Sequence, residues 1–308
     1  MKTGRVIWLI AAFTLAHVGS ATTYYVSNTN GADANSGTSA EAPFQSLQAL
    51  NDLEFLPGDS ILFQAGNTWQ GMFWMHGSGT PELPIYVGKY GEGPRPVIDG
   101  NGYQASLLIY NDECIEVQDL EFTNDASHLD ENGEVKKLEG FGGESNDWGS
   151  GKNVRFGIKV VADQQSIQRI NFSNLNVHDV FPSPDLTSND HKGYGIKIET
   201  RSDLDLNEVN LASEISFSNL TVSRTGHYGI WVKSLGLNQN DTFKNQNFVL
   251  DSCLFEYTGG SGFVPNKCEF VIIQNSIFDH TGADVDERMW KRGSGMWTFD
   301  CRNVVAQY

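Results

Sequence analysis

The sequence has few basic residues and no long apolar run beyond its N-terminal segment, and each shortage excludes a class of protein. Its 21 Lys and Arg residues stand against 38 Asp and Glu, which gives a formal net charge of −17 at pH 7. Such a charge argues against nucleic acid or an anionic membrane surface as a partner. No later segment approaches the roughly 20 apolar residues that a membrane-spanning helix needs. We therefore expect a monomer that binds neither nucleic acid nor membrane.

Cysteine is also scarce, with four residues in 308. Cysteines of an exported protein would normally form disulfides. Three of the four precede strand-like runs at matching points, and no pair has the C-x-x-C spacing of a zinc site. This recurrence predicts reduced, buried thiols at equivalent positions of a repeat, namely Cys114, Cys268 and Cys301.

The one long apolar run lies at the N-terminus, from Val6 to Val18. It follows the basic residues Lys2 and Arg5 and precedes small residues that end at Ala21. This order is typical of a secretory signal peptide, which is too short for a membrane anchor. We predict a signal peptide over residues 1–21 and a secreted or periplasmic product.

An internal repeat of two short segments dominates the rest of the chain. One segment reads VQDLEFTN, FSNLNVHD, FSNLTVSR, LDSCLFEYTG and IQNSIFDHTG. The other reads FGIKVVA, YGIKIET, YGIWVKS, SGFVPNK and SGMWTFD, with glycines spaced 38, 34, 33 and 33 residues apart. Period-two alternation over five or six residues indicates strands rather than amphipathic helices. Because each strand type recurs once per repeat, the pattern predicts a solenoid in which each strand pairs in parallel with its counterpart one coil on.

Short polar residues recur at one position inside the first segment, and we interpret this position as a turn. Such residues suit a left-handed backbone position, and stacked amides can form a ladder from coil to coil. The predicted turn column is Asp119, Asn174, Asn219, Ser252 and Asn275.

The two ends of the solenoid carry different signals. Residues 22–104 are predicted to form an N-terminal cap and the first coils, because APFQSLQALNDL places four apolar residues at helical spacing over the open end. The segment NTNGADANSG near this helix could bind calcium, but its composition favours an Asn/Asp/Gly turn. Residues 105–308 hold the repeats, and they end inside a predicted strand. We therefore expect further coils beyond Tyr308.

Both ends of the sequence resemble a known superfamily. The block YYVSNTNGADANSGTSAEAPFQSLQAL, followed by PGDSILFQAGNTWQG, and the closing GSGMWTFDCRNVVAQY are similar to segments of secreted carbohydrate-active proteins with the pectin-lyase-like fold. The resemblance covers residues 24–308. It implies an all-β, right-handed parallel β-helix with an N-terminal capping helix, and a glycan as partner. It leaves the reaction open, because the superfamily includes lyases, hydrolases, epimerases and adhesins.

Two outward columns follow if the isoleucines of the glycine-containing strands point inward. Trp rings stack against sugar faces, and Lys pairs with carboxylate or sulfate groups. The columns therefore predict an open groove for an anionic polysaccharide. Alternatively, the tryptophans pack under a long turn and the lysines are ordinary solvated positions. The first column is Lys159, Lys197, Trp231, Val264 and Trp297, and the second is Val161, Glu199, Lys233, Asn266 and Phe299.

A polysaccharide lyase is the first hypothesis for the reaction. It needs a base for the proton α to the carboxylate and a cation to neutralise the developing enolate. Lys197 or Lys233 could be the base, and Arg288 or Arg292 the neutralising group. Calcium could serve instead, with Asp284 and Asp286 as predicted ligands.

A glycoside hydrolase is the second hypothesis, and a non-catalytic glycan-binding protein is the third. Hydrolysis needs two carboxylates across the scissile bond, for which Glu199 with Asp286 or Glu287 are candidates. The turns that enter the face add His191 and His227 as predicted substrate-binding residues. The Gly-rich insertion between residues 128 and 153 is either a lid over the groove or a disordered loop.

Overall fold

The computed structural model describes residues 20–127, 134, 136–138, 151–184, 192–237 and 242–308. Most of the predicted signal peptide, most of the predicted lid and His191 lie outside these residues, so the predictions for them stay predictions. Within the described ranges the chain forms strands and one short helix, and every strand pair is parallel. The predicted parallel β-helix is therefore confirmed.

The strands form three sheets, each with one strand per coil. Sheet 1 contains β1 (Thr23–Val26), β2 (Ser60–Gln64), β5 (Ile85–Tyr90), β8 (Ile115–Gln118), β11 (Ile167–Ser173), β14 (Ala212–Ser218), β17 (Asn245–Asp251), β20 (Cys268–Gln274) and β22 (Arg302–Gln307). Sheet 2 contains β4 (Phe73–Met75), β7 (Ala105–Tyr110), β10 (Val154–Ala162), β13 (Lys192–Arg201), β16 (Ile230–Leu235) and β19 (Phe263–Pro265). Sheet 3 contains β3 (Thr68–Gln70), β6 (Val97–Asp99), β9 (Glu121–Asp125), β12 (Asn176–Phe181), β15 (Thr221–Thr225), β18 (Leu254–Thr258) and β21 (Ile277–Asp279).

The inward residues of all three sheets form one apolar core along the solenoid. Like residues stack on like from coil to coil, as the Phe172 and Phe217 rings do with centroids 5.6 Å apart. Strand alternation produces this core because every second side chain points inward.

The predicted glycine column lies in register where the chain enters sheet 2. A Cβ on Gly229 would lie 2.6 Å from the carbonyl oxygen of Gly262 on the next coil, and 2.7 Å from the Phe255 ring. The same clash recurs for Gly195, whose Cβ would lie 2.5 Å from the Gly229 oxygen. Glycine repeats here because the corner between sheets leaves no room for a side chain.

The predicted turn column is confirmed as a left-handed position between sheets 1 and 3. Its five residues have φ angles from 51° to 60°. The side-chain amide of Asn219 donates to the side-chain oxygen of Asn174 at 3.1 Å, and Asn174 in turn donates to Asp119. The polar turn thus links successive coils through side chains as well as backbone.

The four cysteines are reduced, but their stacking differs from the prediction. Cys268 and Cys301 lie one residue before paired positions of β20 and β22, so they stack on neighbouring coils. Cys114 instead occupies the left-handed corner that precedes the sheet-1 strand, with a φ of 56°. Its counterpart on β20 is Phe270, two residues after Cys268. The prediction that Cys114 lies at the same coil position as Cys268 and Cys301 is therefore wrong. Cys301 is only half-buried.

The N-terminal cap is a five-residue helix, α1 (Leu47–Asn51), with Ser46 as its N-cap. Leu47 and Leu50 face the core and cover the first coil, as predicted. In the nearby turn, Asp33 accepts hydrogen bonds from the backbone of Gln45 and from the backbone and hydroxyl of Ser46. This geometry matches the predicted polar turn rather than a calcium loop. Among the described residues, no helix has the length and apolarity needed to cross a membrane.

Candidate functional site

The outward face of sheet 2 carries both predicted columns in register. Lys159 pairs with Lys197, and Lys197 pairs with Trp231. In the second column Glu199 pairs with Lys233, and an isolated bridge joins Asn266 to Phe299. The repeat therefore predicted which residues are neighbours on this face.

The prediction that Lys159, Lys197 and Glu199 line an open groove is wrong. Lys159 and Glu199 are 0 % exposed and Lys197 is 3 % exposed. Glu199 accepts from Lys159 at 2.9 Å, from Lys197 at 2.6 Å and from Arg201 at 2.5 Å. A second apolar cluster, which includes Phe156 and the half-buried Leu138, lies on this part of the face. Alternation gives the side of the sheet to which a residue points, but not whether that side is covered.

Burial and pairing shift the pKa values of this ion cluster. Burial alone would raise the pKa of Glu199, but Lys159, Lys197 and Arg201 hold that pKa far below its ordinary value of 4.5. Burial lowers the pKa of Lys159 to about 7, although Glu199 opposes the shift. Glu199 is thus a permanent carboxylate and cannot donate a proton as the general acid of a hydrolase. Lys197 forms an ion pair with the same carboxylate and is too buried to act as a base on substrate.

The open part of the face is a cleft with two lobes, which we call the aromatic cleft. The first lobe has a volume of about 200 Å³ and the second of about 410 Å³. Trp297, which is 50 % exposed, is a wall of both. The first lobe is lined by Tyr228, Trp231, Lys233, Val264, Asn266, Trp297 and Phe299, and the second by Ser261, Trp290, Arg292, Gly293, Ser294 and Trp297.

Trp231 is held by cations and aromatic rings on several sides. The Nζ atoms of Lys197 and Lys233 lie 4.6 Å and 4.9 Å from its ring centroid. The rings of Tyr194 and Tyr228 lie 5.1 Å and 5.4 Å away. Such contacts fix the ring orientation, so Trp231 presents a rigid apolar surface to the first lobe.

His227 supports the second lobe from below. It is 7 % exposed, and its ring stacks on Trp290 with centroids 4.1 Å apart and an angle of 18°. Trp290 is 37 % exposed and forms the accessible surface, with the guanidinium of Arg292 5.9 Å from its ring. His227 is thus buried beneath Trp290, and its predicted contact with substrate stays a prediction.

Arg288 does not face the cleft as the predicted neutralising group. Its guanidinium contacts both Asp125 and Asp286 and lies over the Phe181 ring. Although burial opposes ionisation, the hydrogen bonds that Arg288 donates to Asp286 and Asp125 raise its pKa above the ordinary value. Arg288 joins the turn over residues 284–292 to β9.

The two predicted calcium ligands each pair with a cation. Asp286 contacts Arg288 at 2.9 Å, and Asp284 contacts Lys291 at 2.6 Å. In the described part of the chain, no three His, Cys, Asp or Glu side chains are grouped so that they could hold a metal ion. Asp284 and Asp286 thus each have a cation beside them, and their role as calcium ligands stays a prediction.

Several residues of the cleft were missed as site residues. Asn266 and Phe299 stood in the predicted columns, so the repeat pointed to them directly. Trp290 lies in the turn before the fifth repeat, where no periodicity applies. Ser261 and Ser294 precede neighbouring glycines of the glycine column, and this shared position was the signal that could have found them.

The comparisons with known proteins agree with the fold. No protein family model matches the chain. It is 24 % identical to a lacto-N-biosidase from Bifidobacterium longum subsp. longum over an alignment of 362 positions. The alignment covers 96 % of this chain and 22 % of the relative. It resembles the crystal structure of a lacto-N-biosidase of glycoside hydrolase family 136 from Eubacterium ramulus, with a TM-score of 0.71, 22 % identity, and coverage of 92 % of this chain and 50 % of that chain.

An alginate lyase from a Paenibacillus species is a second structural relative. It has a TM-score of 0.53 and 16 % identity, and the match covers 92 % of this chain and 76 % of that chain. These likenesses show the parallel β-helix fold. The chain spans half or less of the length of both lacto-N-biosidases.

Proposed function

We propose that this chain is an exported, glycan-binding part of a glycoside hydrolase that acts on a neutral oligosaccharide. The observation that carries the proposal is the aromatic cleft on a β-helix that aligns along 96 % of its length with a lacto-N-biosidase. The glycoside hydrolase was the second hypothesis from the sequence. We now prefer it to the polysaccharide lyase, which was the first hypothesis.

The arrangement of charges supports a neutral substrate. Lys159 and Lys197 share Glu199, and Arg288 shares Asp125 and Asp286. Most cations that suggested an anionic glycan are thus compensated within the chain. Lys233 and Arg292 line the aromatic cleft and can donate hydrogen bonds to sugar hydroxyls.

The two lobes suit consecutive sugar rings of one glycan. Each lobe combines exposed aromatic surface with a few polar groups, which is the usual composition of a binding site for a ligand with apolar faces and hydroxyl edges. Trp297 belongs to both lobes, so it would contact the two rings on either side of one linkage.

We assign one catalytic carboxylate to Glu287. Its side chain is exposed on the turn that also supplies Trp290 and Arg292 to the second lobe. Glu199 is excluded by its burial, and Asp286 is held by Arg288. A glycosidase needs a carboxyl group beside the scissile oxygen, and a turn at the rim of the cleft can supply it.

The test is turnover of a nitrophenyl lacto-N-bioside compared with turnover of alginate. We expect nitrophenol release without any unsaturated sugar. Trp297→Ala should lower kcat/KM about tenfold, because stacking contributes about 0.5 to 1.5 kcal/mol beyond area burial. Glu287→Gln should lower kcat by at least a hundredfold with little change in KM.

The control variant is Glu256→Gln, which changes a carboxylate on sheet 3, away from the cleft. It should turn over like the parent. The opposite outcome is an ultraviolet-absorbing unsaturated product from alginate and no cleavage of the neutral glycoside. This outcome would support the lyase hypothesis and contradict the proposed hydrolase.

A further inference from the structure

A second pocket lies on the outward face of sheet 2, toward the opposite end of the solenoid from the aromatic cleft. Trp74 belongs to the same column as Trp231, since Trp74 pairs with Leu108 and Leu108 with Lys159. Trp74 and Trp231 are therefore four coils apart, or roughly 19 Å at the usual strand spacing. The buried ion cluster around Glu199 lies between them, so the two pockets are separate.

This distal pocket has a volume of about 410 Å³ and a mixed lining. Helix α1 supplies one wall and strand β4 with the residue that follows it supplies another. Its lining residues are Gln48, Asn51, Asp52, Trp74, His76, Lys137 and Leu138.

The aromatic wall is rigid. The Trp74 and His76 rings lie 4.5 Å apart with an angle of 39°, and the Tyr110 ring lies 6.4 Å from Trp74. The side-chain oxygen of Asn51 accepts from the Trp74 backbone at 2.9 Å, and its amide donates to the Met72 carbonyl at 3.0 Å. Asn51 thus ties the cap helix to the strand that carries the indole.

The polar wall suits hydroxyl groups. Gln48 donates to Asp52 at 2.8 Å, and both side chains are exposed. A planar amide beside a carboxylate offers further donor and acceptor positions to adjacent hydroxyls of one sugar ring. An ordered pair of this kind loses little side-chain entropy on binding.

The charge of the pocket is balanced. Asp52 and Lys137 carry opposite charges, and burial lowers the pKa of His76 although Glu54 partly opposes the shift. The imidazole is thus neutral at pH 7 and can donate or accept a hydrogen bond. A ligand with an apolar face and many hydroxyls would find both partners that it needs.

We propose that the distal pocket is a second glycan-binding site, which takes one pyranose ring of a neutral saccharide against Trp74 and pairs its hydroxyls with Gln48 and Asp52. It is independent of the aromatic cleft and takes no part in cleavage. The proposal does not require that the chain be a hydrolase.

Two-dimensional NMR of the tryptophan indole N–H signals tests the proposal, with lacto-N-biose and then cellobiose as the probes. Trp74→Ala and Trp231→Ala identify the two signals. We expect the Trp74 and Trp231 signals to shift with two different apparent Kd values. The double variant Gln48→Ala, Asp52→Ala should weaken binding at Trp74 about tenfold and leave binding at Trp231 unchanged.

The control is Glu41→Ala, an exposed change near the same cap helix, which should leave both signals titrating as in the parent. Unchanged positions of the other indole signals show that each variant is folded. A Trp74 signal that does not move while Trp231 titrates overturns this proposal alone. A Trp231 signal that does not move while Trp74 titrates contradicts the proposed function alone, and two silent signals overturn both.

Discussion

Glu199 illustrates, at the scale of a residue, what alternation in a repeat can and cannot predict. The sequence placed it correctly on the outward face of sheet 2 and next to Lys233. It gave no sign that Leu138 packs on that face, because Leu138 comes from outside the repeat. The predicted catalytic group is instead the centre of a buried ion cluster.

Replacing Glu199 by Gln should therefore act mainly on stability. The change keeps the shape but leaves Lys159, Lys197 and Arg201 without their shared counter-charge, and breaking a buried pair costs about 3–5 kcal/mol. The free energy of unfolding, measured by urea denaturation at pH 7, should fall by about that amount. Glu214→Gln removes an exposed pair with Arg169 and should cost less than about 1 kcal/mol. Equal losses for the two variants would contradict the buried cluster.

The cysteines make a second prediction at this scale. The hydrogen bond with Cys268 is the largest of the effects that lower the pKa of Cys301 to about 7, and Cys301 is half-buried while the other three thiols are buried. Iodoacetamide should modify Cys301 first in the native protein and the others only after unfolding. The intact mass should correspond to four free thiols. A native mass lower by the hydrogen atoms that two disulfides remove would contradict the assignment of four reduced cysteines.

At the scale of the element, the corners of the coil were the most predictable part of the fold. Asn174, Asn219 and Asn275 adopt the left-handed conformation that their spacing predicted. The corner before sheet 1 was not predicted, because residues as different as Cys114, Arg169 and Phe270 occupy it. A corner with no shared residue type leaves no pattern in a single sequence.

The glycine column allows a direct test of this corner geometry. Gly229→Ala places a methyl group 2.6 Å from a carbonyl oxygen of the next coil, so the coils must separate or the strand must shift. We expect a loss of about 1 to 3 kcal/mol in the free energy of unfolding, the range for overpacking a rigid site. Gln246→Ala, at an exposed position of β17, should change it by less than about 0.5 kcal/mol. A neutral Gly229→Ala would mean that the corner is looser than described.

At the scale of the whole molecule, paired carboxylates should make the β-helix sensitive to acid. Asp179, Glu199, Asp286 and Asp300 have pKa values below their ordinary 3.8 or 4.5, because nearby His, Lys and Arg groups favour the ionised forms. A carboxylate with a lowered folded-state pKa stabilises the fold above its unfolded pKa, and this contribution is lost as the pH falls through the folded value. Asp112 acts in the opposite direction, since burial raises its pKa to about 6.

The free energy of unfolding should therefore fall steadily below pH 4.5. Thermal unfolding at a series of pH values checks this expectation, and Glu199→Gln should show a smaller loss than the parent. An unfolding temperature that stays constant or rises as the pH falls from 4.5 to about 2 would contradict the charge assignments.

The central claim is that the aromatic cleft of this β-helix binds a neutral glycan. The most direct test is calorimetric titration with lacto-N-biose and with an alginate disaccharide, at low and at high salt, for the parent and for Trp297→Ala. We expect binding of lacto-N-biose that is insensitive to salt and about tenfold weaker in the variant. Binding of the alginate disaccharide alone, lost at high salt and unaffected by Trp297→Ala, would contradict it.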